Sequence, residues 1–218
     1  VVKELRIIFQ KWRYDDAVIF GHAKDGNLHF AASMDLNSSD GVKRFDGLLQ
    51  DMVELTVGKF NGSLKAEHGT GRNMAPFVEY EWGGALYQIM WKIKQIADPD
   101  GILNPDVLLT KDQKLHIKNL KPIPVVDDSI DLCVECGFCE PICPSAGLTL
   151  TPRQRIVIAR ELKITKNDPE IDRRILLEDI DYNSNKTCAA DGLCEIMCPV
   201  NINTGILVKP FRKDTHAN

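Results

Sequence analysis

The sequence predicts an α+β domain followed by a mainly α-helical one. Three observations carry this. Residues 1–110 mix helical apolar spacing with short β-type runs and lack a regular βαβ alternation. All seven cysteines lie beyond residue 132, in a part whose other segments have helical spacing. Between the two parts, residues 111–131 are polar and contain Pro122 and Pro124, as a linker does. The expected layout is therefore a domain over 1–110, a linker over 111–131 and a second domain over 132–218.

In the first part, residues 2–12 have helical apolar spacing. Residues 17–20 and 28–32 read as strands flanking the turn Lys24-Asp25-Gly26-Asn27, and Asp-Gly between such runs signals a hairpin. Residues 42–60 read as a helix and 64–67 as a short strand. Residues 84–97 read as a helix closed by Asp98-Pro99-Asp100-Gly101. In the second part, 152–163 is expected to be a helix with Thr151 as N-cap and Pro152 at its first position. Residues 169–179 form a second helix, and each cysteine group is expected on a loop entering a short helix.

Composition narrows the function. Apolar content of 44% and charged content of 27% are those of a globular protein. A net charge of −4 without a dense basic run argues against nucleic acid as a partner. No apolar stretch approaches the roughly 20 residues that span a bilayer, and the N-terminus lacks a signal-peptide layout. A cytoplasmic location is expected, with at most peripheral contact at the inner face of a membrane. Val1 opens directly into a helix without a cap or an initiating Met, which suggests a piece of a longer protein. Neither GxGxxG nor GxxxxGK[ST] occurs, so a nucleotide cofactor would take most of its site from elsewhere.

The cysteines carry the most specific signal. Cys133-x2-Cys136-x2-Cys139-x3-Cys143-Pro144 has the ligand spacing of ferredoxin-type iron–sulfur clusters. Three thiolates on a tight loop wrap three corners of a cubane, and the fourth, a turn further on, reaches a neighbouring cluster. Gly137 lets the backbone bend closely, and Pro144 ends the turn without an amide donor. A zinc site would use two separated CxxC pairs, and an odd cysteine count fits a disulfide framework poorly. Cys188-x5-Cys194-x3-Cys198-Pro199 repeats the pattern with Asp191 where the second cysteine would stand. The expected allotment gives cluster one Cys133, Cys136, Cys139 and Cys198. Cluster two takes Cys143, Cys188 and Cys194, with Asp191 at its fourth corner. Asp191 either ligates iron through oxygen or is only a solvated loop residue beside a three-iron cluster. The second cluster is thus 4Fe–4S or 3Fe–4S, and a hard oxygen ligand there should be labile.

Three of the five histidines fall in two motifs, Gly21-His22-Ala23-Lys24-Asp25-Gly26-Asn27-Leu28-His29 and Glu67-His68-Gly69-Thr70-Gly71. His22 and His29 flank the predicted hairpin and could converge across it, with Glu67 adding a carboxylate. Two imidazoles and a carboxylate suit a divalent ion with positions left open for substrate. His68 could then serve as general base. The bland alternative is that these histidines are structural. His116 and His216 receive no role.

These motifs, with Asp98-Pro99 and Leu103-Asn104-Pro105, resemble the C-terminal domain of FAD-linked 2-hydroxy acid dehydrogenases, which include D-lactate and D-2-hydroxyglutarate dehydrogenases and glycolate oxidase. The runs 64–78 and 133–155 look like the bacterial branch with an iron–sulfur module fused behind the flavin domain. The helices between the cysteine groups resemble the two-cluster modules of succinate dehydrogenase and heterodisulfide reductase partners. The resemblance implies that His22, His29 and Glu67 hold zinc or manganese, which binds the carboxylate and 2-hydroxyl of a small 2-hydroxy acid. It implies that His68 takes the hydroxyl proton while hydride passes to FAD, and that Asn104 approaches the flavin. Electrons would then leave through the clusters to a quinone or a redox protein. Relatives acting on 2-hydroxyglutarate often carry Asn where this chain has Ala31. The rival reading is a non-catalytic electron-transfer subunit with a structural first domain.

Overall fold

The computed structural model describes residues 1–65, 67, 69–170 and 172–216. The chain folds as two compact units, Val1–Pro122 and Ile123–Asn218. The division falls inside the segment expected to be a linker. Leu115 and His116 are buried within the first unit, and Ile130 is buried within the second.

The first unit opens with α1 (Val2–Lys11), whose Leu5 and Phe9, one helical turn apart, are buried. The helix is closed by a left-handed residue, Arg13 (φ 58°). The Arg13 amide donates to the Gln10 carbonyl and the Tyr14 amide to that of Phe9, the pattern of a Schellman cap. β1 (Val18–His22) and β2 (Asn27–Ala31) pair antiparallel, with Val18 opposite Ala31 and His22 opposite Asn27. Among the described residues this hairpin is the whole sheet. Ile19 and Phe30, opposite each other, pack against the core of Leu5, Phe9, Tyr14, Leu48 and Leu55. Each of the buried apolar side chains Leu5, Phe9, Leu48 and Leu55 contributes about 1.5–3 kcal/mol.

α2 (Ser39–Val53) is capped by the Ser38 hydroxyl, which accepts from the Gly41 amide, and widens into a π-helical turn over Glu54–Lys59. The expected single helix over 42–60 therefore starts earlier, at Ser39, and changes its winding at Glu54. The expected strand at 64–67 does not form among the described residues. Its polar groups turn instead to Glu81, which accepts from the Ser63 hydroxyl at 2.6 Å and the Leu64 amide at 3.1 Å. A short α3 (Gly71–Met74) leads to α4 (Val78–Ala97), two helical segments that meet at the non-helical Gly83 (φ 77°, ψ 154°), the second being the expected helix over 84–97.

In the second unit, α5 (Pro152–Ile164) carries the predicted N-cap, completed into a capping box. The Thr151 hydroxyl accepts from the Gln154 amide, and the Gln154 side chain accepts from the Thr151 amide. α6 (Arg173–Ile180) runs into a second π-helical turn, Asp181–Lys186. α7 (Leu193–Met197) and α8 (Thr204–His216) follow. Residues 133–143 form turns with no helix, in part because Glu135 and Gly137 take left-handed backbone angles. The core is Ile130, Ile156 and Ile202, with Cys133 and Cys198 packed against it. Among the described residues, no helix is long and apolar enough to cross a membrane.

Candidate metal and redox sites

Period-two geometry places Phe20, His22 and His29 on the face of the hairpin opposite Ile19 and Phe30. The Phe20 and His29 rings stack at 5.5 Å, and those of His22 and His29 meet edge to face at 5.6 Å. Gly21, between Phe20 and His22, has φ 144°, and a Cβ there would lie 2.2 Å from the Asn27 carbonyl oxygen. The glycine of the Gly-His motif is thus what lets β1 approach β2 beside His22.

Glu67 reaches both imidazoles. Its Oε2 lies 3.3 Å from His22 Nε2 and its Oε1 3.0 Å from His29 Nε2. The three groups can offer one ligand atom each, all within 4.8 Å of one another. His22 is exposed and His29 half-buried, so the triad opens to solvent on one side. His29 and Glu67 also line a broad cleft with Asn27, Lys65 and Met74. Two neutral nitrogens, one carboxylate and open positions fit a divalent ion that keeps room for a substrate oxygen. His68 lies outside the described residues.

Asn104 stands in the loop after α4 with a left-handed φ of 41°. Asp98 builds that loop: its carboxylate accepts from the amides of Ile102 and Leu103, both at 2.9 Å, and pairs with Lys94. The Lys94 ammonium is the main cause holding the Asp98 carboxyl below its usual range, followed by those amides against opposing burial. Asn104 lines a shallow apolar cleft with Met90, Ile93, Lys94 and Leu103.

The cysteines divide between two hollows in the second unit. Cys133, Cys136, Cys139 and Cys198 line one of them. Cys143, Cys188 and Cys194 line the other together with Asp191. The two groups match the crossed allotment expected from the spacing. Three or four soft thiolates around each hollow suit the iron of an iron–sulfur core. Asp191 Oδ1 accepts from the Leu193 amide at 3.1 Å, so it also caps the turn that opens α7.

Burial pushes the Cys133 and Cys139 thiols up. Cys143 differs. Burial opposes its ionisation, but contacts from Ser145 and Arg155 outweigh this and lower it overall. Ser145 Oγ lies 3.1 Å from Cys143 Sγ. Arg155, Arg160 and Arg212 had no assigned role in the sequence reading. Arg160 pairs with Glu135 at 2.8 Å and donates to the Cys133 carbonyl at 3.0 Å, which pins the first cysteine loop. Arg212 donates to the carbonyls of Asn185 and Cys188. The available signal was the placement of Arg155 and Arg160 on the α5 face that carries Ile156 and Ala159, where a solvated charge does not belong.

A model of FAD linked oxidases, C-terminal domain, matches residues 1–108, and a model of the 4Fe-4S dicluster domain matches residues 129–202. The chain is an FAD-linked oxidase C-terminal domain joined to a 4Fe-4S dicluster domain. FAD and iron–sulfur clusters are the cofactors of these two domain families. The chain is 31% identical over 106 residues to the glycolate oxidase subunit GlcD of Bacillus subtilis, covering 48% of this chain and 22% of that one. It is 37% identical over 91 residues to the D-2-hydroxyglutarate dehydrogenase of Stutzerimonas stutzeri, covering 41% and 20%. It is 33% identical over 93 residues to a D-lactate dehydrogenase of Anaerostipes hadrus, covering 42% and 19%. The matched part thus spans about a fifth of the length of these curated relatives. No solved structure gives a significant match.

Proposed function

We propose that this chain is the metal-binding and electron-conducting part of an FAD-linked dehydrogenase that oxidises a D-2-hydroxy acid, D-lactate or D-2-hydroxyglutarate, to the 2-oxo acid. The observation that carries it is the convergence of His22, His29 and Glu67 within 4.8 Å, in a domain of the FAD-linked oxidase family. When bound, a zinc or manganese ion supplies Lewis acidity toward the substrate hydroxyl, FAD accepts hydride, and the clusters accept single electrons. His22, His29 and Glu67 hold the ion and orient the substrate carboxylate and 2-hydroxyl on it. His68, adjacent to Glu67 in sequence, takes the hydroxyl proton. Asn104 faces the flavin from its loop.

Cys133, Cys136, Cys139 and Cys198 hold the first cluster. Cys143, Cys188 and Cys194 hold the second, with Asp191 at the fourth corner of a 4Fe–4S form or beside a 3Fe–4S form. The acceptor is a quinone or a redox protein, reached in the cytoplasm or at the inner face of a membrane.

Metal analysis tests the reading. The purified protein should hold stoichiometric zinc or manganese besides iron, and His22→Ala should lose the former while keeping the iron. A protein with iron alone, unaffected by His22→Ala, would return the first domain to the structural role of a carrier subunit. In the intact enzyme His68→Ala should cut kcat roughly 10²–10⁴-fold with little change in KM. Equal mild losses in both would remove the base role.

A further inference from the structure

We propose that Arg155 is the charge-compensating residue of the second cluster and raises that cluster's reduction potential above that of the first. The inference rests on the allotment of Cys143 to the second cluster given above.

Arg155 is 2% exposed. Its Nε donates to the Ser184 carbonyl at 3.0 Å and its Nη2 to the Ser145 hydroxyl at 2.8 Å. Its Nη1 lies 3.8 Å from Cys143 Sγ. Among the described residues, no carboxylate forms an ion pair with it. A buried cation without a counter-charge is costly, and folded proteins retain one where an anion occupies the neighbouring space. The hollow that Arg155 lines with Cys143, Cys188, Cys194 and Asp191 is that space. Three thiolates around an iron–sulfur core carry net negative charge.

The first cluster's surroundings differ. The arginine that lines the first hollow, Arg153, is paired with Glu140 at 3.0 Å, and the buried Arg160 behind the Cys133 carbonyl is neutralised by Glu135 at 2.8 Å. Among the described residues, the first hollow therefore faces neutral pairs and the second a guanidinium without an ion-paired carboxylate. One-electron reduction adds one negative charge to a cluster and leaves Arg155 protonated throughout. A fixed positive charge stabilises the reduced form more than the oxidised one. Arg155 thus makes the second cluster the better electron acceptor of the two.

The test is a potentiometric titration of the intact, cluster-loaded protein, followed by EPR so that the clusters are read separately. Arg155→Gln keeps donors and removes the charge, whereas Arg155→Lys keeps the charge. Arg155→Gln is expected to lower the reduced-to-oxidised ratio of the second cluster at least tenfold at a fixed potential, about 59 mV for one electron. The first cluster should not move, and Arg155→Lys should stay close to the unaltered protein. If Arg155→Gln loads only the first cluster while Arg155→Lys loads both, the need for charge is likewise supported. The proposal is overturned if Arg155→Gln leaves both midpoints in place, if both clusters shift together, or if neither variant loads the second cluster. Iron and sulfide analysis of the unaltered protein separates the two layers. A single cluster there removes the two-cluster reading, while two clusters with unmoved midpoints in Arg155→Gln overturn this proposal alone.

Discussion

At the scale of single residues, Asp46 shows how a half-buried charge stabilises the first unit. Burial works against its ionisation, but contacts with Lys114, His116 and Gln50 outweigh that and hold its pKa at about 2, below the usual 3.8. The His116 and Gln50 nitrogens lie 2.7 Å from Oδ1, and the Lys114 ammonium lies 2.9 Å from Oδ2. A carboxyl whose folded pKa is depressed stabilises the fold fully above its unfolded value. The stabilisation is lost as pH falls through the folded value. With the side chain 19% exposed, the contribution is about 2 kcal/mol, present above about pH 4 and lost toward about pH 2. Urea melts over that range should show a slope that Asp46→Asn flattens by Asp46's share; an unchanged slope would contradict the assignment. Little of this was legible beforehand, because Asp46 and His116 are 70 positions apart and neither sits in a motif. His22 and His29 were legible because a hairpin brings its two histidines together by register alone.

At the scale of elements, Gly47 shows packing overriding propensity. Alanine is the better helix former by about 1 kcal/mol. Yet a Cβ at Gly47 would lie 2.0 Å from the Trp12 ring, which is held in place by its Nε1 donating to Asp51 at 2.7 Å. Gly47→Ala is expected to lower the urea midpoint, with a net cost of roughly 1–3 kcal/mol from displacing the indole; a rise in midpoint would show that Trp12 moves freely. On α5, Thr151→Ala removes half of a capping box and should cost about 1 kcal/mol, read in the same melt. That cap was legible from Thr151-Pro152-Arg153-Gln154, since a cap is a local pattern. The bend at Gly83 and the two π-helical turns were not, because they depend on what each helix packs against.

At the scale of the whole molecule, the two units hold together by different means. The first has no cysteine and a continuous apolar core around Leu48. The second has a small core of Ile130, Ile156 and Ile202, with two of the cysteines packed against it. Folding there should be coupled to cluster assembly. Anaerobic chelation is expected to lower the helical signal and open the second unit to protease, leaving a resistant piece that ends near Pro122. Equal resistance of both units would show that the isoleucine core suffices without iron.

By itself the sequence pointed to the residues proposed to bear the chemistry. Ligand spacing, the hairpin turn and the helix cap are patterns of a few consecutive residues, and local geometry reads them directly. The crossed grouping of the cysteines also followed from spacing, since a thiolate one turn beyond a loop points away from it. Tertiary structure alone decided what surrounds those residues. It brought Glu67 onto both histidines, paired Arg160 with Glu135, and left Arg155 buried beside Cys143 with no ion-paired carboxylate among the described residues. Such arrangements join residues distant along the chain. Their energy depends on burial and on the charges packed around them, which no local pattern encodes.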